Sequence, residues 1–263
     1  STLVVANCFL QLFQRAAYHF ESRYSPTNRE PTHSPDPSGS AVEPLQSCDS
    51  RPRFRQAIGI REEMLEPAFA ALAEVRRPDG RISTTKFLDA CSAVLPIVDK
   101  LGTGFKIVKS DINGNISRLR ERAATDPDRY EDFFLIVTDD CANLPAGKFA
   151  DGASVTKGML WLKRAMQFIA GLIQALVDDK SLSVSTAASN TYKATLSKYH
   201  GMLTGGAFSM ALKLVPARDT FLAKLECADP EADLGRMVGL LAPLLEEVHQ
   251  FLVEIGQDDP VKV

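Results

Sequence analysis

Three polar side chains, Asp111, Asn115 and Arg118, recur at i, i+4 and i+7 within Lys109-Ser110-Asp111-Ile112-Asn113-Gly114-Asn115-Ile116-Ser117-Arg118-Leu119-Arg120. At helical pitch they form one stripe, and Ile112, Ile116 and Leu119 form an apolar stripe one position along. A carboxylate supplies acceptors, a carboxamide both donors and acceptors, and a guanidinium a fork of donors, a set suited to a polyhydroxylated head group. By itself the row also fits a solvated helix face with an i,i+7 ion pair. Two further residues stand out, the single Trp161 and His200. Each alone fits a place in a helical core.

Catalytic and metal chemistries fit these residues less well. His200 and Asp111 could act as base and orienter of a helical hydrolase, but no Gly-x-Ser-x-Gly occurs and no cysteine has an activating sequence neighbour. Asp111-Ile112-Asn113-Gly114-Asn115 has its glycine in the wrong place for an EF-hand loop, and no His pair sits at ligand spacing. No catalytic residue, metal site or cofactor is expected.

The 263 residues can bury a sizeable core as one large domain or two small ones. With 45% hydrophobic and 24% charged residues the composition is that of a globular protein, and a net charge of -3 with pI near 5.9 gives no electrostatic case for nucleic acid. Cys8, Cys48, Cys91, Cys141 and Cys227 are odd in number and widely spaced, so neither a disulfide framework nor a zinc site is indicated and a reducing compartment is the simplest setting. The sequon Asn115-Ile116-Ser117 falls mid-helix and is discounted.

Along the chain, residues 1–24 carry an apolar run too short and interrupted to span a bilayer; it begins at Ser1 rather than Met and is assigned no function. Six prolines between Ser25 and Pro52 predict a disordered linker, so 1–53 is set apart from a domain over 54–263. The domain reads as about eight helices without a convincing strand. The first runs Glu62 to Val75, and a second, Thr85 to Leu101, follows a Ser83 or Thr84 cap. The third holds the polar row, and the fourth starts with Asp126-Pro127 as N-cap and N1. A fifth, from near Ser154 to Val177, is apolar almost all round in its second half and reads as a deeply buried helix rather than a membrane span. A sixth runs from Tyr192 through His200 to Pro216; a short helix, Asp219 to Leu225, and a long one, Leu234 to Ile255, complete the set.

Taken together, Asp111-Ile112-x-Gly114-Asn115-Ile116-Ser117-Arg118-Leu119, then Trp161-Leu162-Lys163-Arg164, then Lys198-Tyr199-His200-Gly201 resembles the glycolipid transfer protein family. The Phe87-Leu88 helix before them and the Lys262-Val263 ending belong to the same resemblance, which covers Ile82 to Val263. It implies an all-α, two-layer sandwich enclosing a hydrophobic pocket for one sphingolipid. Asp111 and Asn115 would bond sugar hydroxyls, with Arg118 standing where the family commonly has Lys; Trp161 would lie flat on the sugar ring, and His200 would bond the ceramide amide oxygen. Phe168, Ile169, Ile173, Phe208, Leu212, Leu244 and Phe251 are the candidates for contact with the acyl chains.

The resemblance further implies a cytosolic monomer that touches membranes transiently and carries a galactosyl-, glucosyl- or lactosylceramide-like lipid, with ceramide 1-phosphate transfer as the alternative. A non-transferring sensor or adaptor, signalling through the Pro-rich segment, is a second alternative. Burial of each methylene is worth about 0.8 kcal/mol against water but almost nothing against a bilayer, so head-group hydrogen bonds of roughly 1 kcal/mol, or about 1.5–3 when charge-assisted, must choose the lipid. Members that carry ceramide 1-phosphate typically have Lys at the position of Asn115 and lack the tryptophan, whereas Asn115 and Trp161 are the sugar-type pair. Two positions depart from the family pattern: Met202-Leu203 stands where animal members often have a docking tryptophan, and Val261-Lys262-Val263 replaces a Tyr-Lys-Val ending. Asn115→Lys is expected to shift preference toward ceramide 1-phosphate in a two-lipid competition transfer assay; no shift would count against this basis of selectivity.

Overall fold

The computed structural model describes residues 64–262, so the apolar segment and linker expected over 1–53 lie outside the described residues. Nine α-helices are found among the described residues: α1 (Glu66–Ala73), α2 (Thr84–Lys100), α3 (Lys106–Ala123), α4 (Phe133–Cys141), α5 (Val155–Asp178), α6 (Val184–Thr195), α7 (Met202–Ala211), α8 (Arg218–Ala223) and α9 (Pro230–Glu254). Extended pairing among them is confined to the isolated bridges Arg76–Ile82 and Ser83–Asp132.

Local chemistry sets most starts. Ser83 Oγ accepts from the Lys86 amide at 3.2 Å and caps α2, and Ser154 Oγ accepts from the Lys157 amide at 3.1 Å and caps α5. Asp140 adds a second acceptor at the α5 N-terminus, taking the Thr156 amide at 3.2 Å. At α9, Asp229 accepts from Ala232 N at 3.1 Å with Pro230 in the first turn, so the helix begins one turn before the expected Leu234.

Two expected helices form differently. Asp126-Pro127 does not start the fourth; a 3₁₀ turn, Arg129–Glu131, intervenes and Asp132 caps α4 by accepting from Phe134 N at 3.0 Å. Tertiary ties decide this register. Phe133 N donates to the Ile82 carbonyl at 3.0 Å, Arg81 Nη1 donates to Asp132 at 3.0 Å, and the Phe133 ring is fully buried 4.6 Å from Phe87. The single helix expected from Tyr192 to Pro216 is broken into α6, a 3₁₀ turn Ser197–Tyr199, α7 and a second 3₁₀ turn Leu212–Leu214. His200 is extended (φ -102, ψ 136) and Gly201 is the α7 N-cap. The far end of this segment lies against the turn before α3: a Cβ on Gly102, which has φ +101, would lie 2.7 Å from the Leu214 carbonyl oxygen.

Helix α5 is the hub, packing against α9, α3, α6 and α4, while α1 touches α2 and α9 and so closes a circuit of helices. It is long and apolar enough to cross a membrane, yet 67% of its most apolar window is buried by its neighbours, which makes it a core helix. Paired contacts give directions. Arg118 meets Gly158 while Phe105 meets Phe168, so α3 and α5 are antiparallel; Val177 meets Gly235 while Lys163 meets His249, so α5 and α9 are too. The interior is packed by side chains. Phe133→Ala is expected to cost about 3–5 kcal/mol, read as a lowered midpoint in urea unfolding.

Candidate functional site

The antiparallel packing of α3 on α5 puts Asp111 and Asn115 between the Arg118–Gly158 and Phe105–Phe168 contacts, at the level of the turn that bears Trp161. Ile112, Ile116 and Leu119 are buried beneath, as their stripe requires. Asn115 is itself buried, and its Nδ2 donates to the Asp111 carbonyl at 3.0 Å and to Asp111 Oδ2 at 3.4 Å. That leaves the amide oxygen of Asn115 and the second carboxylate oxygen for other donors.

Arg118 sits differently from its neighbours in the row. Its Nη1 donates to the carbonyls of Gly152 and Ser154, both at 3.3 Å, and its Cδ comes within 3.1 Å of where a Cβ on Gly158 would stand. Arg118 thus crosses α5 closely at Gly158. The residue braces the loop that leads into α5 and reaches Asp111 through its charge.

Trp161 and His200 come together although α5, α6 and a broken segment separate them in sequence. Both are half-buried, their rings stacked with centroids 5.8 Å apart and planes 20° apart. His200 Nδ1 lies 3.1 Å from the Tyr192 hydroxyl. With that hydroxyl donating to Nδ1, Nε2 carries the proton and is a donor for a carbonyl. Burial, with the Arg164 charge second, holds the His200 pKa below its ordinary value, so the ring is neutral at pH 7.

A cationic arc backs the plate. The Arg164 guanidinium carbon lies 3.4 Å from the centre of the Tyr199 ring and 5.1 Å from that of Trp161, and Lys198 Nζ lies 4.8 Å from Tyr199. Lys163 and Arg164 are almost wholly buried, and both bond Asp258, beyond the end of α9. Asp258 and Tyr192 escaped sequence reasoning. Tyr192 would lie about two turns from His200 along a continuous helix and is brought near by the break at Ser197–Gly201; the one signal for Asp258 was the acidic Asp258-Asp259 pair soon after a helix-ending Gly256.

The candidate tail residues divide. Phe168, Ile169, Ile173 and Leu244 are buried, and Phe168 stands edge-on to Phe208 at 5.5 Å. Phe208 also stacks on Tyr192 at 3.9 Å, and Leu212 packs half-buried against the same core. Phe251 has Phe134 of α4 as its ring partner at 4.3 Å and lies with the α4–α9 contact, not the Phe168 cluster. Phe168 and Phe208, both tail candidates, thus form one aromatic cluster with Tyr192. A cavity of about 220 Å³ beside Leu88, Arg120 and Tyr130 is bordered by none of these candidates.

The Glycolipid transfer protein (GLTP) family model matches residues 82–227, which hold the polar row, the plate and the histidine turn. The chain belongs to the glycolipid transfer protein family. It is 37% identical over 195 residues to Glycolipid transfer protein 1 of Arabidopsis thaliana, covering 73% of this chain and 95% of that one. It is 32% identical over 183 residues to the glycolipid transfer protein of Aureobasidium melanogenum, covering 69% and 87%. Among solved structures, the GLTP-fold of FAPP2, described as selecting simple glycosphingolipids, superposes with a TM-score of 0.64 at 26% identity over 73% of this chain and 95% of that chain. Human ceramide-1-phosphate transfer protein in complex with 12:0 ceramide-1-phosphate, at 16% identity, shares the fold with a TM-score of 0.66 over 73% and 96%. The all-helical two-layer sandwich is therefore this chain's fold, and its activity is lipid transfer, not catalysis.

Burial pushes the Asp111 carboxyl up to about 6, opposed by the Arg118 charge. The folded protein then keeps this proton up to about pH 6, whereas the unfolded chain gives it up near 3.8. The stability associated with the protonated form is complete below the unfolded value and is lost as pH rises through the folded one. Asp111→Asn is accordingly expected to exceed the wild type by on the order of 1–3 kcal/mol at pH 7.5. Chemical denaturation at pH 7.5 and pH 4 checks this, because the margin should shrink toward zero at the lower pH.

Proposed function

We propose that this protein is a cytosolic carrier that takes one neutral glycosphingolipid from a membrane, holds it as a monomer and delivers it to another, with the working domain spanning 54–263. The observation that supports the proposal is the packing of α3 on α5, which sets the Asp111–Asn115 pair at the level of the turn bearing Trp161, whose ring stacks on His200, while further along α5 Phe168 meets Phe208. In this reading the carboxylate and carboxamide bond the sugar's hydroxyl edge, and the indole covers its apolar face. The proton on His200 Nε2 bonds the ceramide amide oxygen.

The charges favour a sugar over a phosphate. Lys163 and Arg164, which could have clamped a phosphate, already share Asp258, and Arg118 Nη1 is engaged by the Gly152 and Ser154 carbonyls. The buried cations beside the indole are thus already partnered. Acyl chains would enter by parting the Tyr192–Phe208 stack and the Phe168–Phe208 contact, exchanging one apolar neighbour for another. Met202 and Leu203, 91% and 74% exposed directly after the His200-Gly201 turn, are the proposed points of membrane contact; they lack the interfacial preference of tryptophan, so insertion is shallow.

Vesicle-to-vesicle transfer of a fluorescent galactosylceramide tests the proposal. Trp161→Ala and Asp111→Val should each nearly abolish transfer while far-UV circular dichroism stays helical. Undiminished transfer in both variants would sink the site assignment, and binding without transfer by the wild type would make the protein a sensor instead.

A further inference from the structure

Arg164 links the aromatic plate to the end of the chain. Its side chain is 2% exposed, and Nη2 donates to Asp258 Oδ1 at 3.0 Å and to the Asp259 carbonyl at 2.6 Å. Lys163, 3% exposed, donates to the same Asp258 oxygen at 3.4 Å and to His249 Nδ1 at 3.1 Å. One carboxylate on the segment after α9 is thus the counter-charge of two buried cations, and one of those cations stands beside the indole. The segment is anchored on its other side as well: Gln257 Oε1 accepts from Ala150 N at 2.9 Å, its Nε2 donates to the Lys148 carbonyl at 3.0 Å, and Lys157 pairs with Asp259. A guanidinium deprived of its anion is driven from a buried place toward water, and whatever rests on it loses its support.

We propose that Asp258 and Arg164 are positioning residues, and that residues 257–259 form a strap which, through this ion pair, holds the Trp161 indole against His200 in the orientation that receives a sugar ring. The consequence for transfer rests on Trp161 being the sugar plate; the strap's hold on Trp161 does not. Arginine suits the task because its flat fork stacks on a ring while bonding a carboxylate in its own plane, which an ammonium cannot do.

Trp161 is the single tryptophan, so the fluorescence of the lipid-free protein reads the plate directly. In Asp258→Asn, at unchanged far-UV circular dichroism, the emission maximum should shift and acrylamide quenching should increase. Galactosylceramide transfer between phosphatidylcholine vesicles should fall about tenfold, the equivalent of one good contact. Asp258→Glu, which keeps the anion, should recover both. Arg164→Lys, which keeps the charge but not the fork, should behave as Asp258→Asn does and serves where that variant fails to fold. Wild-type emission and quenching in the folded Asn and Lys variants would overturn the proposal. A fluorescence change in these variants with undiminished transfer, together with undiminished transfer by Trp161→Ala, would uphold the strap and remove Trp161 from sugar binding.

Discussion

Helix α5 must be buried on nearly every side and still deliver Trp161 to the surface. Four helices pack on it, and the same turn that exposes the indole also points Lys163 and Arg164 inward. Two cations in an apolar interior are tolerated only when paired. The pairing comes from Asp258 and His249, and this obliges the chain after α9 to return to the α5 N-terminal half. Apolar burial, cation pairing and presentation of the plate are therefore one constraint, met by one helix and one returning segment.

The polar row shows a similar division of labour. Asp111 and Asn115 remain coupled in the middle of α3, whereas Arg118 has become part of the scaffold by bracing the loop into α5. Burial raises the pKa of the Asp111 carboxyl to about 6, so at neutral pH it is held as a poorly solvated carboxylate at a cost to folding. A carboxyl shielded from water has few other donors to satisfy it, so each hydrogen bond that reaches it counts for more.

The interior answers a different requirement. A carrier gains little by binding acyl chains more tightly than a bilayer does, so its core must open at small cost. Phe105, Phe168, Phe208 and Tyr192 meet edge-on and stacked, and Phe208 comes from α7, none of whose residues is fully buried. The tightly buried faces of α2, α5 and α9 are left to hold the fold.

Much was legible in the chain. The 3.6-residue pattern located the helices that carry a full apolar stripe, and Ser83 and Ser154 marked starts that the backbone obeys. The types and spacing of Asp111, Asn115, Trp161 and His200 identified the family, because such a combination of motifs survives whatever surrounds it. What the chain could not reveal were choices settled between segments distant in sequence. Asp132 outcompeted Asp126-Pro127 because Ile82 and Arg81 bond there, and the helix through His200 broke at Ser197–Gly201, with its far end laid against Gly102. Arg118 turned to the Gly152 and Ser154 carbonyls, Phe251 joined Phe134, and Asp258 became the anion of Lys163 and Arg164. Local periodicity determines which residues share a face, but the partner of a buried charge or ring is decided by whatever else the fold brings within reach, since an unpaired group in the interior costs more than any local preference supplies.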